Sequence, residues 1–156
     1  MSEETYVSVL AVLVLLSLSL FYARAQRAKD GLKTVSATGT VVNEFTILSV
    51  DATAGSSSIS VASSSLNAQN RFSGPLSAGD LIMIIQMQGA AIKGNVQDST
   101  WGEITNYNNC GMNEFAEVLD VPGASTITLS FPLKNNYTAA GKVQVVRLPR
   151  YFSLTI

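Results

Sequence analysis

Four carboxylates crowd one stretch of this chain: Glu103, Glu114, Glu117 and Asp120. Paired carboxylates can cleave a glycosidic bond, and clustered ones can hold Ca²⁺. The spacing favours neither chemistry, because no D-x-D-x-D-G loop or comparable ligand pattern surrounds them. They read as solvated carboxylates on the outer face of a hairpin. Cys110 is the one cysteine, set between Asn109 and Gly111. A nucleophilic thiol needs a nearby base, and the chain has no histidine. The same absence removes imidazole acid–base catalysis and most transition-metal sites. Cys110 therefore reads as chemically incidental, with an intermolecular disulfide as the alternative. The remaining candidates are aromatic. Trp101, Tyr107 and Tyr137, with Tyr151 and Phe152, could form a platform on which sugars stack; the plainer role is closing a small core. Asn136-Tyr137-Thr138 fits the N-glycosylation acceptor pattern. No catalytic residue, cofactor or metal ligand is expected.

The elements that would position these residues are strands. Leu76–Gly89 (LSAGDLIMIIQMQG) passes from a Gly-Asp turn into an unbroken apolar run and then alternates. That pattern predicts a core strand buried on both faces at its start. Toward its end, only the face with Leu81, Met83, Ile85 and Met87 should stay covered. Other expected strands are Val35–Val42, Phe45–Val50, Ser58–Val61, Trp101–Tyr107 and Lys142–Leu148. Phe115–Val121 and Thr126–Phe131 should form a hairpin about Pro122-Gly123, and another strand should begin at Tyr151. Ala90–Thr100 reads as the longest polar connection. The fold class is all-β: a small barrel or sandwich of about seven or eight short strands, preceded by an N-terminal hydrophobic helix.

A weak internal repeat runs through the pattern. Ser58-Ile59-Ser60-Val61 is echoed by Thr126-Ile127-Thr128-Leu129. Ala78-Gly79-Asp80 with Leu81–Ile84 is echoed by Ala140-Gly141-Lys142 with Val143–Val146. A real repeat would put the two strongest strands in equivalent core positions.

Val7–Tyr22 is sixteen residues without a charge. It suits a secretory signal peptide, with Ala23-Arg24-Ala25 as the cleavage pattern. The acidic n-region (Glu3, Glu4) and the basic flank (Arg24, Arg27, Lys29) suit an uncleaved single-span anchor instead. The expected organisation is residues 1–25 as signal peptide or anchor, 26–38 as linker, and 39–156 as a small β domain, truncated at its C-terminal end. Charged residues are only 13% of the chain and the net charge is −1. That argues against a nucleic-acid partner, which demands a basic patch. Membrane contact is expected only through residues 7–22, if they are retained.

The segments 41–65, 72–92 and 102–151 resemble the N-terminal module of very large secreted or surface proteins of Bacteroidetes-type bacteria, the adhesin-like, gliding-motility-associated group that often ends in a sorting domain. The likeness spans roughly residues 39–156. It is carried by Ala78-Gly79-Asp80 with its Ile run and Gln86-Met87-Gln88-Gly89, by Gly102–Tyr107, by Ile127–Leu129 through Pro132-Leu133, and by Val143–Pro149. Cys110 departs from the pattern, where a small residue is expected. The chain also stops where such proteins continue for hundreds of residues. The resemblance implies an exported, non-enzymatic structural or adhesive module at the cell surface, with surface glycans or downstream domains as partners. It implies no catalytic residues. Two alternatives stay open: a carbohydrate-binding or accessory domain of a polysaccharide-active protein, and a single-span membrane protein with a small β interaction domain.

Replacing Ile82 or Ile84 with Asp should unfold the domain, since an unpaired charge in a small core is prohibitive. Gln88→Asp should be nearly silent. Limited proteolysis separates these outcomes, and equal resistance of all three variants would remove the strand from the core.

Overall fold

The computed structural model describes residues 28–156; the hydrophobic helix expected over residues 7–22 and its cleavage pattern lie outside them. The described residues are all-β, with ten strands and one short 3₁₀ turn, Ala139–Gly141. None of their helices is long and apolar enough to cross a membrane. Two compact units are present.

The smaller unit holds residues up to Thr38 together with Arg150–Ile156. Here β1 (Leu32–Thr34) pairs in parallel with β10 (Ser153–Thr155). The backbone N–H of Arg150 donates to Asp30 Oδ2 at 2.6 Å. Thus β1 lies within the stretch 26–38 that reads as a linker, and the strand expected over Val35–Val42 does not form. Gly39, at φ 76°, breaks that run.

The larger unit, Gly39–Pro149, contains a six-stranded antiparallel sheet ordered β2-β9-β4-β7-β8-β3. These strands are β2 (Glu44–Ile47), β3 (Ser58–Ser60), β4 (Leu81–Gln86), β7 (Asn113–Gly123), β8 (Thr126–Leu129) and β9 (Val143–Leu148). The two outer strands meet through an antiparallel bridge, Leu48 with Val61. Ser49 N–H donates to Ser60 O, and Ala62 N–H to Ile47 O, both at 2.9 Å. The sheet therefore curls round until its edges touch, which removes the exposed edges that a flat sheet would carry. Of the two architectures expected, the sheet is barrel-like. A separate two-stranded ribbon, β5 (Ala91–Ile92) with β6 (Ile104–Asn106), lies inside the stretch read as a polar connection and a longer strand.

Alternation dictates what fills the interior. Ile82 and Ile84 of β4, Val143 and Val145 of β9, Ile59 of β3 and Ile127 and Leu129 of β8 are all buried in one cluster. Each contributes about 1.5–3 kcal/mol by leaving water. The parity of β4 corrects one expectation. Ile82, Ile84 and Gln86 point inward, Leu81, Met83 and Ile85 are half-buried, and Met87 is exposed. The covered face ends on Gln86, an amide, because that side chain finds three hydrogen-bond partners inside. The hairpin turn also moves. β7 runs through Pro122 and Gly123 with two register shifts, and the turn is Ala124-Ser125. An irregular stretch suits a proline that has no N–H to donate.

The internal repeat is structural. Strands β2-β3-β4 and β7-β8-β9 exchange under a pseudo-twofold: β2 pairs with β9 as β7 pairs with β4, while β3 pairs with β8 and β4 with β9. Asn43-Glu44-Phe45 opens the first half and Asn113-Glu114-Phe115 the second. The two glutamates do the same work. Glu44 Oε1 accepts the backbone N–H groups of Gln69 and Arg71, in the loop after β3. Glu114 accepts those of Lys134 and Asn135, in the loop after β8. The left-handed residues before β4 and β9 are Gly79 (φ 80°) and Lys142 (φ 53°), so the halves superpose one residue out of step with the Ala-Gly echo.

One end of the β4–β9 pair holds a buried ion pair. Arg147 Nη2 lies 3.0 Å from Asp80 Oδ2, and both side chains are buried. Arg147 Nη1 donates to Gly74 O, and its guanidinium stacks on Phe72 with 3.9 Å to the ring centroid. Arg147→Met should cost about 3–5 kcal/mol in urea denaturation, because it leaves the buried Asp80 carboxyl without its ion-pair partner. Adding Asp80→Asn should recover part of that loss, giving a non-additive double-mutant cycle.

Candidate functional site

At the other end of β4 lies an open hollow of about 880 Å³, lined by Thr105–Met112 and Thr138. Its wall is the turn that follows β6. Asn108 (φ 44°) and Asn109 (φ 64°) both take the left-handed conformation that Asn tolerates best among non-glycine residues. Asn106 Oδ1 accepts the Asn108 N–H at 2.9 Å, an Asx turn that sets the bend. Asn108 Nδ2 donates to Gly89 O, and Asn109 Nδ2 donates to Asn136 O.

Gln86 holds this wall from inside. It is 1% exposed. Its Nε2 donates to Asn108 O and Gln88 O, both at 2.9 Å, and its Oε1 accepts the Thr138 N–H at 3.0 Å. Its backbone adds two more ties: Gln86 N–H to Met112 O, and Gly111 N–H to Gln86 O. One buried amide thus fixes both Asn108 and Thr138, two residues of the lining that are far apart in sequence. Two glycines make room for it. A Cβ on Gly141 would sit 2.5 Å from Gln86 Cδ, and one on Gly89 would sit 2.8 Å from Asn108 O.

The hollow gathers amides, hydroxyls and one exposed phenol, Tyr107. Cys110 contributes a half-buried thiol that donates to Met87 O. No carboxylate or cationic side chain lines it. Among the described residues, no group of three or more acidic or cysteine side chains could hold a metal ion.

The aromatic candidates scatter. Tyr107 lines the hollow. Trp101 is exposed in the β5–β6 connection and is not part of the lining. Tyr137 cannot stack on a ligand: it is 1% exposed and belongs to the core cluster, held by paired backbone bonds with Ala52. Its hydroxyl lies beside Glu114 and Asn135 without meeting either in hydrogen-bond geometry. Burial, and then the charge of Glu114, pushes the phenol well above its ordinary range. Tyr151 and Phe152 belong to the smaller unit.

The carboxylates also separate. Glu103 pairs with Lys93 on the ribbon, and Asp120 is exposed. Glu114 is not a solvated surface group; it is half-buried and braces the loop after β8. Asn136, the acceptor of the glycosylation pattern, has its Oδ1 engaged by the Ala54 N–H. The residues missed from sequence are Asn106, Asn108, Asn109, Thr138 and Gln86. A run of three Asn about Tyr107 is the signal that was available.

No family model matches the chain, and no curated protein matches it. Among solved structures, it is similar to three bacteriophage tailspikes. The gp61 tailspike of Pseudomonas phage phi297 is 15% identical over 80% of this chain and 18% of its own, with a TM-score of 0.43. The gp54 tailspike of Acinetobacter baumannii bacteriophage AP22, solved with a capsular saccharide, is 18% identical over 76% and 20%, with a TM-score of 0.45. The gp49 tailspike of Pseudomonas phage LKA1 is 17% identical over 80% and 21%, with a TM-score of 0.42. The chain spans about a fifth of each of these proteins. A likeness of that depth carries no functional residue across.

Gln86→Leu should destabilise the domain by about 2–4 kcal/mol, since it orphans the Thr138 N–H and the Asn108 carbonyl. Gly141→Ala should cost roughly 1–3 kcal/mol through overlap with the same side chain. In a Gln86→Ala background, the Gly141→Ala cost should nearly vanish; thermal unfolding of the four proteins measures this.

Proposed function

We propose that this chain is a non-enzymatic, exported β module with a structural and adhesive role at the cell surface, and that the hollow beside Gln86 is where it holds a glycan. One observation carries the reading: the hollow presents neutral amides and hydroxyls around an exposed aromatic ring, on a wall fixed by a buried side chain. Amides suit sugar hydroxyls, which both donate and accept, and an aromatic face suits the apolar face of a pyranose. A lining without charge favours a neutral sugar over an acidic one. Binding rather than catalysis fits the same lining. It pairs no acid with a base, and the chain has no histidine to supply either.

The test is a glycan array probed with the full chain, followed by titration of the best neutral oligosaccharide. Tyr107→Ala should weaken binding about tenfold, the loss of one aromatic contact. Asn109→Ala should weaken it too. Trp101→Ala should leave binding unchanged, because Trp101 stands outside the hollow. Absence of binding to every glycan, or loss on Trp101→Ala alone, would overturn the assignment. Biotinylation of intact cells should label the protein if it is displayed at the surface.

A further inference from the structure

The outside of the curled sheet is not uniform. Across β2, β9, β4 and β7, one row of outward side chains reads Phe45, Val146, Met83, Phe115, each opposite the next in register. The adjacent row reads Ile47, Gln144, Ile85, Asn113, adding two aliphatic side chains that alternate with two amides. On β3 and β8 the outward positions are instead Ser58, Ser60, Thr126 and Thr128. Ser and Thr are what a solvated outer face requires, because the polar side of an antiparallel sheet normally faces water. The apolar half breaks that rule with large side chains. Phe45 is 63% exposed, Phe115 62% and Ile47 52%.

We infer that this wall is the contact between two copies of the chain, joined face to face about a twofold axis. Three features favour a second copy. First, the row is its own image under the pseudo-twofold of the fold, with Phe45 and Phe115 as equivalent ends. The two rings therefore stand at equivalent ends of one row, with Val146 and Met83 exchanging between them, and such a row can lie across its own copy about a twofold axis. Second, the row carries no charge, and the nearest acid is Glu117 on the outer face of β7, so a copy meets no like charge at the centre. Charge enters only at the Phe115 end, where Glu117 and Lys134 line a hollow with that ring. Third, the area fits. At about 200 Å² for a whole large side chain, the three exposed residues with half-buried Met83 and Ile85 present roughly 400–500 Å² per copy, and Val146 between them is already buried. Two copies then bury roughly 800–1,000 Å², the size of weak, transient interfaces, and the dimer should dissociate at micromolar concentration.

Sedimentation equilibrium of the full chain across 1–200 μM in detergent-free buffer reads the state, and the variants below separate association through this face from association through residues 7–22. Monomer–dimer exchange is expected. The double variant Phe45→Ser, Phe115→Ser should raise the dissociation constant about thirtyfold or more, as loss of central aromatic anchors does. Its urea transition should stay near that of the parent, because both rings are already exposed. In a Cys110→Ser background, Met83→Cys should oxidise to a covalent dimer, and Thr128→Cys, on the Ser/Thr side, should not. A monomer at every concentration, or a dimer indifferent to the Phe variants and cross-linked equally through both cysteines, would overturn the inference.

Discussion

The pairing of β4 with β9 is the constraint from which the rest follows. Ile84 faces Val145 at the middle of the pair, both fully buried. The two ends of the same ladder carry the polar groups that the interior must accommodate. Ile82 stands opposite Arg147, and Gln86 opposite Val143. A barrel interior this small has little space for water, so each polar side chain needs a protein partner. Arg147 finds Asp80, and Gln86 finds Asn108 and Thr138. One ladder therefore sets the register of the core, the buried ion pair at one end and the wall of the hollow at the other.

Two carboxylate braces stand outside that ladder and hold the loops that return to it. Glu44 and Glu114 each turn a carboxylate toward two nearby backbone donors of a loop. Charge-assisted bonds to backbone N–H groups are among the stronger ones available to a protein. Each loop brings the chain from the middle strand of its half back to the central pair. The same residue type, in the same Asn-Glu-Phe setting, solves the same connection twice.

Strands with an apolar alternation were legible in the sequence: β3, β4, β8 and β9 lie where the pattern puts them. β1 and β5 were not: Leu32-Lys33-Thr34 and Ala91-Ile92 sit in polar stretches and carry too few apolar residues to stand out from a linker or a loop. The parity of β4 was misread at Gln86, since hydropathy counts an amide as a surface residue. What overrides hydropathy there is a set of partners supplied by residues 108 and 138, far off in sequence. Glu114 was misread for the same reason. The site was only half legible. Tyr107 was a candidate on chemistry alone, but Tyr137 and Trp101 were chemically equal to it. Only the fold separates a ring in the core, a ring on a ribbon and a ring in the hollow. The repeat was visible, yet one residue out of step, because Lys142 takes the backbone conformation that Gly79 takes in the first half.

The two surfaces proposed for this chain share no residue: the hollow uses residues 105–112 and 138, and the apolar wall uses outward side chains of β2, β9, β4 and β7. A dimer formed through the wall would carry two hollows. A single open, uncharged hollow offers a sugar a few hydrogen bonds in competition with water and one ring to stack on, which sets a low ceiling for one site. Two sites held rigidly in one particle turn the second contact into an intramolecular event, and avidity rises steeply wherever a repeating glycan spans them. Weak association through the wall and weak binding in the hollow would then reinforce each other on a dense glycan surface, where local concentration drives both. In dilute solution each would be small. The arrangement suits an adhesive module, which has to hold a crowded surface and release free sugar.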